Sequence, residues 1–384
     1  MDSVEQATGT VCFSVDFAGS FTLRVPEAHR VESRSPLAMK IEFTETEQPE
    51  EDFFKAALTE HDLRFLTGIE EIEADAEILC IHLASRIDAA FLDIHPQLKL
   101  ITTRSAGHDH IDINECSRRG AIVCEVPGSN ANTVAEHTLA LILALSRRII
   151  ASREAKRKTR FSFEWWRGFE LENKTLGVIG TGQIGRRVIR LALAFGMKVL
   201  AYDPYQQAEL VEGVRYVSLN ELLRESHVIS LHTPLTADTF HLLDRKAFAQ
   251  CQQEPIVINT ARGAVIDTEA LIEALDAGII DGAGLDVLEE ERVMRKDADQ
   301  IVTDQIIAHL HNAACQEEAG KRTHEGAKEI ETLFRNQRLL DRPNVVFTPH
   351  VAFNSVEAVE RMLTMTVGNI RAFLAGKPTN VVTP

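Results

Sequence analysis

Lys174-Thr-Leu-Gly-Val-Ile-Gly180-Thr-Gly182-Gln-Ile-Gly185-Arg-Arg-Val-Ile-Arg190 is the stretch on which the fold turns. A short apolar run ends in Gly-x-Gly-x-x-Gly, and apolar positions at helical spacing follow at once: Val188, Ile189, Leu191 and Ala192. Strand, tight turn and helix start lie end to end, the context that a dinucleotide-binding fingerprint requires. Gly180 permits the turn, Gly182 lets a pyrophosphate approach the backbone, and Gly185 lets helix and strand pack closely. The pyrophosphate then faces the unpaired N–H groups of the helix N-terminus, where Gln183 and Ile184 stand. A second apolar run, Lys198 to Tyr202, ends in Asp203, eighteen residues past Gly185. A carboxylate there accepts hydrogen bonds from an adenosine ribose and repels a 2′-phosphate, so the cofactor is expected to be NAD rather than NADP. The structural alternative is a glycine-rich turn in some other α/β protein.

On both sides of this stretch, short strands alternate with helices. From Met39 to about Cys124, apolar runs fall at 40–43, 63–66, 77–82, 98–102 and 121–124, with amphipathic segments near 50–60, 87–94 and 111–119. That is the pattern of a small doubly wound parallel sheet. Thr103-Arg-Ser-Ala106-Gly107-His108-Asp109-His-Ile-Asp112 follows a strand and precedes a helix, at the ligand-facing end of such a sheet. Its plain alternative is a turn capped by Asp109 or Asp112. Asn132-Thr133, with Glu136 as capping-box partner, predicts a helix from Val134 to about Arg148. Seven basic residues in 147–160 read as a solvated helical face, and Trp165-Trp166 follow them.

The second alternation predicts strands at 175–179, 198–202, 227–232, 256–260, 282–286 and 345–348, a full six-stranded Rossmann domain. Ser355 to Leu374 is helical in pattern. It follows the cofactor domain and returns to the first one, which makes the coenzyme domain an insertion with two hinge crossings and a cleft. The expected limits are 39–133 with 354–384 for the substrate domain and 134–353 for the NAD-binding domain. Three readings stand for residues 1–38: an added strand pair, a disordered tail, or a start-site artefact with Met39 as the alternative start.

Composition excludes several classes. The 384 residues suffice for two domains, and 45% hydrophobic content is that of a globular protein. A net charge of −16 argues against nucleic acid or an anionic membrane as partner. No apolar run is long enough to span a bilayer, and the N-terminus shows no secretory pattern. Cysteines 12, 80, 116, 124, 251 and 315 form no CxxC pair, so free thiols in a reducing cytoplasm are expected, and no metal site.

Three polar positions sit at the ends of late strands. Arg262 follows Ile256–Thr260, Asp286 and the acids Glu289 to Glu291 follow Gly282, and His350 follows Val345–Thr348. Hydride transfer to a 2-oxo acid leaves charge on the carbonyl oxygen, so a proton donor must stand beside it. A histidine supported by a carboxylate suits that role, and an arginine can grip the substrate carboxylate in a planar fork. Each residue has a plainer alternative: Arg262 pairing with Asp267, Glu291 in a solvated acidic trio, His350 capping a loop.

Together, the fingerprint, Asn-Thr-Ala-Arg262-Gly-x-x-x-Asp267, Gly-Leu-Asp286 with Glu291 five residues on, and Thr-Pro-His350 resemble the D-isomer-specific 2-hydroxyacid dehydrogenase family over residues 40–384. The resemblance implies that Arg262 binds substrate, His350 is the general acid/base and Glu291 supports it. It also implies that Asp286 contacts the nicotinamide carboxamide, and that the backbone N–H groups at Ala106 and Gly107 hold the substrate carboxylate. Gln183, Ile184, Asp203, Thr233, Pro234, Thr260 and Ala261 match cofactor-contact positions. It further implies a Rossmann domain inserted into a flavodoxin-like substrate domain, and a homodimer built partly on the helix from Val134.

His350-Val-Ala-Phe353 is similar to the D-lactate dehydrogenase branch, with Phe353 near the histidine and restricting the pocket to pyruvate-sized acids. A core phenylalanine explains Phe353 too. The rivals are a glyoxylate or hydroxypyruvate reductase and an NAD-sensing, corepressor-like binding protein. Two departures stand out: an insertion at about 292–342 with a helical, charged 316–338 segment, and His108 where an apolar or aromatic residue is usual.

Overall fold

The computed structural model describes residues 12–15, 21–24, 39–155, 166–206, 213–291 and 319–384. Expectations for most of residues 1–38, for 156–165 with Trp165, and for 292–318 lie outside the described residues. The chain divides into two compact units, Met1–Asn130 with Phe353–Pro384, and Ala131–Ala352. Phe353, read from the sequence as the last residue of the coenzyme domain, opens the closing stretch of the first unit.

In the first unit, β1 (Cys12–Val15) and β2 (Phe21–Arg24) pair antiparallel. Then follow β3 (Lys40–Thr44), α1 (Gln48–Ala57), β4 (Asp62–Leu66), β5 (Ile78–Ile81), α2 (Ala89–Ile94), β6 (Leu100–Thr103), α3 (Ile113–Arg118) and β7 (Ile122–Cys124). The five later strands are parallel in the order β4-β3-β5-β6-β7, which is the flavodoxin-like order 2-1-3-4-5. β5 and β6 are buried along their whole length, as strands covered on both faces must be. Asp112 caps α3 by accepting from Glu115 N–H at 2.9 Å.

The second unit opens with α4 (Ala131–Ser146) and α5 (Ile149–Ala155). It continues through β8 (Thr175–Ile179), α6 (Gln183–Ala194), β9 (Lys198–Tyr202), β10 (Val214–Tyr216), α7 (Leu219–Glu225), β11 (Val228–Leu231), α8 (Arg245–Phe248), β12 (Ile256–Asn259), α9 (Thr268–Asp276), β13 (Gly282–Leu285), α10 (Ala319–Leu340) and β14 (Val345–Phe347). The seven strands are all parallel, in the order β10-β9-β8-β11-β12-β13-β14. This is the Rossmann order 3-2-1-4-5-6 with one further strand. Gly185, Val188, Ile189 and Ala192 are the buried stripe of α6, and they pack on Leu176 and Val178 of β8. α11 (Val356–Leu374) returns the chain to the first unit, where Leu363, Val367 and Ile370 join Ile41, Phe43 and Leu100 in one core.

Two local expectations change. β10 is absent from the sequence reading because three residues, with Arg215 pointing to solvent, carry too little pattern at a sheet edge. α4 begins at Ala131, straight after the turn at Gly128, so Asn132 and Thr133 lie inside its first turn rather than capping it. Asn132 instead donates to the Glu136 carboxylate four residues on. Among the described residues, no helix is long and apolar enough to cross a membrane.

Candidate active site

The glycine loop has the shape its sequence requires. Gly180 has φ 94°, and a Cβ there would stand 2.6 Å from the His232 carbonyl oxygen. A Cβ on Gly185 would lie 2.0 Å from the Gly180 carbonyl oxygen, so helix and turn approach as only glycine allows. Gly182 is the N-cap of α6 without a side-chain cap, and nothing lies within 4 Å of where its Cβ would be. The first bond of α6 runs from Arg186 N–H to Gly182 O, leaving the N–H groups of Gln183, Ile184 and Gly185 for an anion. Thr233, past the end of β11, has a buried hydroxyl with no hydrogen-bond partner among the described residues. An open cradle of amides and an orphaned hydroxyl fit a dinucleotide.

Asp203, past the end of β9, faces this loop. Its Oδ2 accepts from Thr181 N–H at 2.7 Å and from the Thr181 hydroxyl at 2.9 Å, and its Oδ1 accepts from Tyr205 N–H at 2.9 Å. His232, between Leu231 and Thr233, is half-buried with its Nε2 2.8 Å from the Ser230 hydroxyl, and desolvation pushes its imidazole down to about 3.

The other strand ends of this unit carry the charged and polar residues singled out above. After β12, the Asn259 side chain staples the turn: its Oδ1 accepts from Ala261 N–H at 3.0 Å and its Nδ2 donates to Arg262 O at 2.9 Å. Thr260 shares a 3.0 Å hydrogen bond with Thr138 of α4. Arg262 Nη1 donates to Ala261 O at 2.9 Å, and Pro234 O accepts from the Thr239 hydroxyl at 2.6 Å. Asp267 caps α9 by accepting from Glu269 and Ala270 N–H. A Cβ on Gly263 would sit 2.0 Å from Leu288, which shows how tightly the turn after β12 abuts the run leading to Glu291.

His350 and Glu291 meet, with Nδ1 2.8 Å from Oε1 and both side chains partly buried. The neighbouring acids go elsewhere. Glu289 binds His241 at 2.8 Å and Thr268 at 3.0 Å, and Glu290 binds Thr332 at 2.6 Å and Lys328 at 2.9 Å. His350 has φ 54°, a left-handed backbone that costs roughly 1–2 kcal/mol in a residue with a Cβ. Asp286 holds that turn. Its main-chain oxygen accepts from His350 N–H at 2.8 Å. Its carboxylate, 1% exposed, accepts from the Thr348 hydroxyl at 2.6 Å, Val351 N–H at 2.9 Å and Ala352 N–H at 3.0 Å. His137 of α4 completes the cluster, 2.9 Å from the Thr348 hydroxyl. Sequence reasoning passed over His137, Thr348 and the stapling role of Asn259. Only the phrase in which each is embedded gave a signal.

In the first unit, the loop after β6 is braced from within. Ser105 Oγ lies 2.6 Å from Thr103 Oγ1 and donates to Gly107 O at 2.6 Å, so Ala106 and Gly107 sit in a tied turn. His108 Nδ1 lies 2.9 Å from Glu125 Oε2, a hydrogen-bond contact that engages the unusual residue. Arg104, 1% exposed, donates to Glu50 at 2.8 Å and to the carbonyls of Thr44 and Glu45 at 2.7 Å each. Phe353 meets the His82 ring edge-on at 5.5 Å, and both line a cavity of about 590 Å³ with Glu45, Glu50, Glu357 and Met362.

Among the described residues no cluster of His, Cys, Asp or Glu is arranged to hold a metal ion. The thiols of Cys80, Cys116 and Cys124 are free and buried. Burial pushes the Cys80 thiol up to about 12.

Residues 139–352 match the sequence family described as D-isomer specific 2-hydroxyacid dehydrogenase, NAD binding domain. D-lactate dehydrogenase of Escherichia coli (strain K12) is 35% identical over 83% of this chain and 88% of its own length. A glyoxylate reductase of Thermococcus litoralis is 35% identical over 81% of this chain and 84% of its own. Among solved structures, D-lactate dehydrogenase from Aquifex aeolicus, complexed with NAD and lactic acid, superposes with a TM-score of 0.74 at 35% identity, covering 88% of this chain and 96% of that one. The chain belongs to the D-isomer-specific 2-hydroxyacid dehydrogenases, in the branch resembling D-lactate dehydrogenase, and is an NAD-dependent oxidoreductase.

Proposed function

We propose that this enzyme interconverts pyruvate and D-lactate, with His350 as general acid/base. The observation that carries the proposal is the 2.8 Å pairing of His350 Nδ1 with Glu291 Oε1 at the end of the last strand. Bound NADH supplies the hydride that adds to the C2 carbonyl carbon. Glu291 fixes the tautomer and orientation of the imidazole, so the proton for the carbonyl oxygen is given at Nε2 and recovered there in the reverse direction. The Arg262 guanidinium, oriented by donation from its Nη1 to Ala261 O, is the fork for the substrate carboxylate. The amides of Ala106 and Gly107 grip the same carboxylate, and Phe353 limits the substrate side chain.

Gly180, Gly182, Gln183, Ile184 and Gly185 would hold the pyrophosphate, and Asp203 the adenosine ribose. Thr233, Pro234, Thr260, Ala261 and Asp286 would line the remainder of the cofactor site. Glyoxylate or hydroxypyruvate reduction is the second reading, supported by relatives named for those activities at 33–36% identity. The enzyme is proposed to act in the cytoplasm as a homodimer.

The test is NADH oxidation with pyruvate, 2-oxobutyrate, phenylpyruvate, glyoxylate and hydroxypyruvate, with chiral analysis of the product. Pyruvate turned over fastest to D-lactate supports the first reading, and glyoxylate preferred supports the second. NADH binding without any turnover points to a sensing protein. In His350→Ala, turnover should fall by a factor of about 10² or more with NADH binding intact. Lost NADH binding would make His350 structural.

A further inference from the structure

Glu291 meets His350 from a backbone that does not hold itself. The residue before it, Glu290, has φ 54°, a left-handed conformation that residues with a Cβ keep only under constraint. The constraint comes from α10. Thr332, 3% exposed, donates its hydroxyl to Glu290 Oε2 at 2.6 Å, and Lys328 Nζ lies 2.9 Å from Oε1 of the same carboxylate. One turn on, the fully buried Asn336 donates Nδ2–H to the Glu289 carbonyl oxygen at 3.3 Å. Residues 328, 332 and 336 recur every fourth position, so a single stripe of the helix carries all three contacts. Hydrogen bonding from Thr332 and then Lys328 keeps the Glu290 carboxyl below the usual carboxylate range, so it stays an anion for both. From the other side, His241 and Thr268 anchor the Glu289 side chain.

We propose that α10 is a positioning element for proton transfer: Thr332 and Lys328 on Glu290, with Asn336 on the Glu289 backbone, set the direction from which Glu291 meets His350. The inference rests on His350 and Glu291 being the proton-transfer pair. It gives this part of the insertion a task in the reaction without placing any of its residues on the substrate. Thr332, Lys328 and Asn336 are positioning residues.

The test uses the full-length enzyme with Thr332→Val, Thr332→Ser and Glu290→Ala, and the Thr332→Val/Glu290→Ala double variant. Steady-state rates, NADH affinity and the ¹⁵N-histidine ring signal of His350 are measured, the signal being assigned by its loss in His350→Ala. Thr332→Val should lower kcat about tenfold with KM and NADH affinity within about twofold, since misdirecting a reacting pair costs rate rather than binding. The His350 ring signal should move with it. Thr332→Ser should restore both rate and signal, Glu290→Ala should reproduce the defect, and the double variant should be no worse than the single ones. A folded Thr332→Val or Glu290→Ala enzyme with unchanged kcat and an unmoved His350 signal would overturn the inference. A wild-type enzyme inert toward every oxo acid sinks the functional reading alone, because the ring signal still reports whether α10 governs the pair.

Discussion

Each parallel sheet holds a buried charged residue just past the end of one of its strands, and the two are opposite in sign. Arg104 follows β6 in the first unit and Asp286 follows β13 in the second, each 1% exposed. A guanidinium can only donate, so Arg104 collects oxygens: the carbonyls of Thr44 and Glu45 and the carboxylate of Glu50. A carboxylate can only accept, so Asp286 collects donors: Thr348, Val351 and Ala352. Both reach one short stretch far off in sequence: the partners of Arg104 lie 54 to 60 residues away, within 44–50, and those of Asp286 lie 62 to 66 residues away, within 348–352. The cation gathers the end of β3 and the first turn of α1 onto the end of β6, and the anion shapes the turn that presents His350 with a left-handed backbone.

The largest expected effect follows from the anion. Asp286→Ala strips three donors of their acceptor, at about 1–3 kcal/mol for each that stays buried and unsatisfied. Turnover should fall at least a hundredfold and the melting temperature should drop, as read by rate assay and thermal unfolding. A variant keeping a tenth of the wild-type kcat would break the comparison, because the carboxylate would then not shape the turn.

Arg104→Met should do less, since Glu50 keeps some solvent access and can rehydrate. A loss near 2 kcal/mol is expected, with a raised oxo-acid KM through the adjoining Ser105–Gly107 loop and unchanged NADH affinity. Arg104→Lys should recover less than half of that loss, because an ammonium cannot serve three oxygens in a fork. Equal damage to NADH binding would erase the distinction between the two latches.

The effect that is smallest at neutral pH, and grows only toward the extremes, separates the units by titration. His232 of the second unit titrates at about 3 when folded, against 6.5 ordinarily. The unfolded chain binds the extra proton first, so its contribution to stability is present above 6.5 and is lost as pH falls toward 3. Cys80 of the first unit runs the other way, from 9.0 up to about 12. Its unfolded form loses the proton first, so stability falls as pH rises from 9 to 12. Chemical denaturation across pH should show a shallower acid limb in His232→Gln and a shallower alkaline limb in Cys80→Ala. Unaltered limbs would assign those slopes to other groups.

Both sheets were legible because parallel strands covered on two faces are written as unbroken apolar runs, and Leu79 or Ile229 can hardly be read otherwise. The glycine loop was legible because Gly180 and Gly185 stand where no other residue fits. Less could be read where the deciding contacts cross the chain. Glu289, Glu290 and Glu291 are chemically identical neighbours, and only family spacing singled out the last. What separates them physically is three different elements, with His241, Thr332 and His350 as their respective partners. Val214–Tyr216 was missed because it borrows its strand character from β9 beside it. The start of α4 was misplaced because a plausible cap, Thr133, lies within its first turn.

Asp203 has one consequence for how this enzyme can change. The residue proposed to choose between NAD and NADP also fastens the glycine loop, through the Thr181 amide and hydroxyl. Replacing Asp203 with a small neutral residue removes the repulsion of a 2′-phosphate and the fastening at the same time. On that proposal cofactor preference is coupled to loop integrity, and a first step toward NADP would weaken the grip on both nucleotides. An adaptive route therefore needs a partner substitution, one that gives Thr181 a new acceptor before the preference moves.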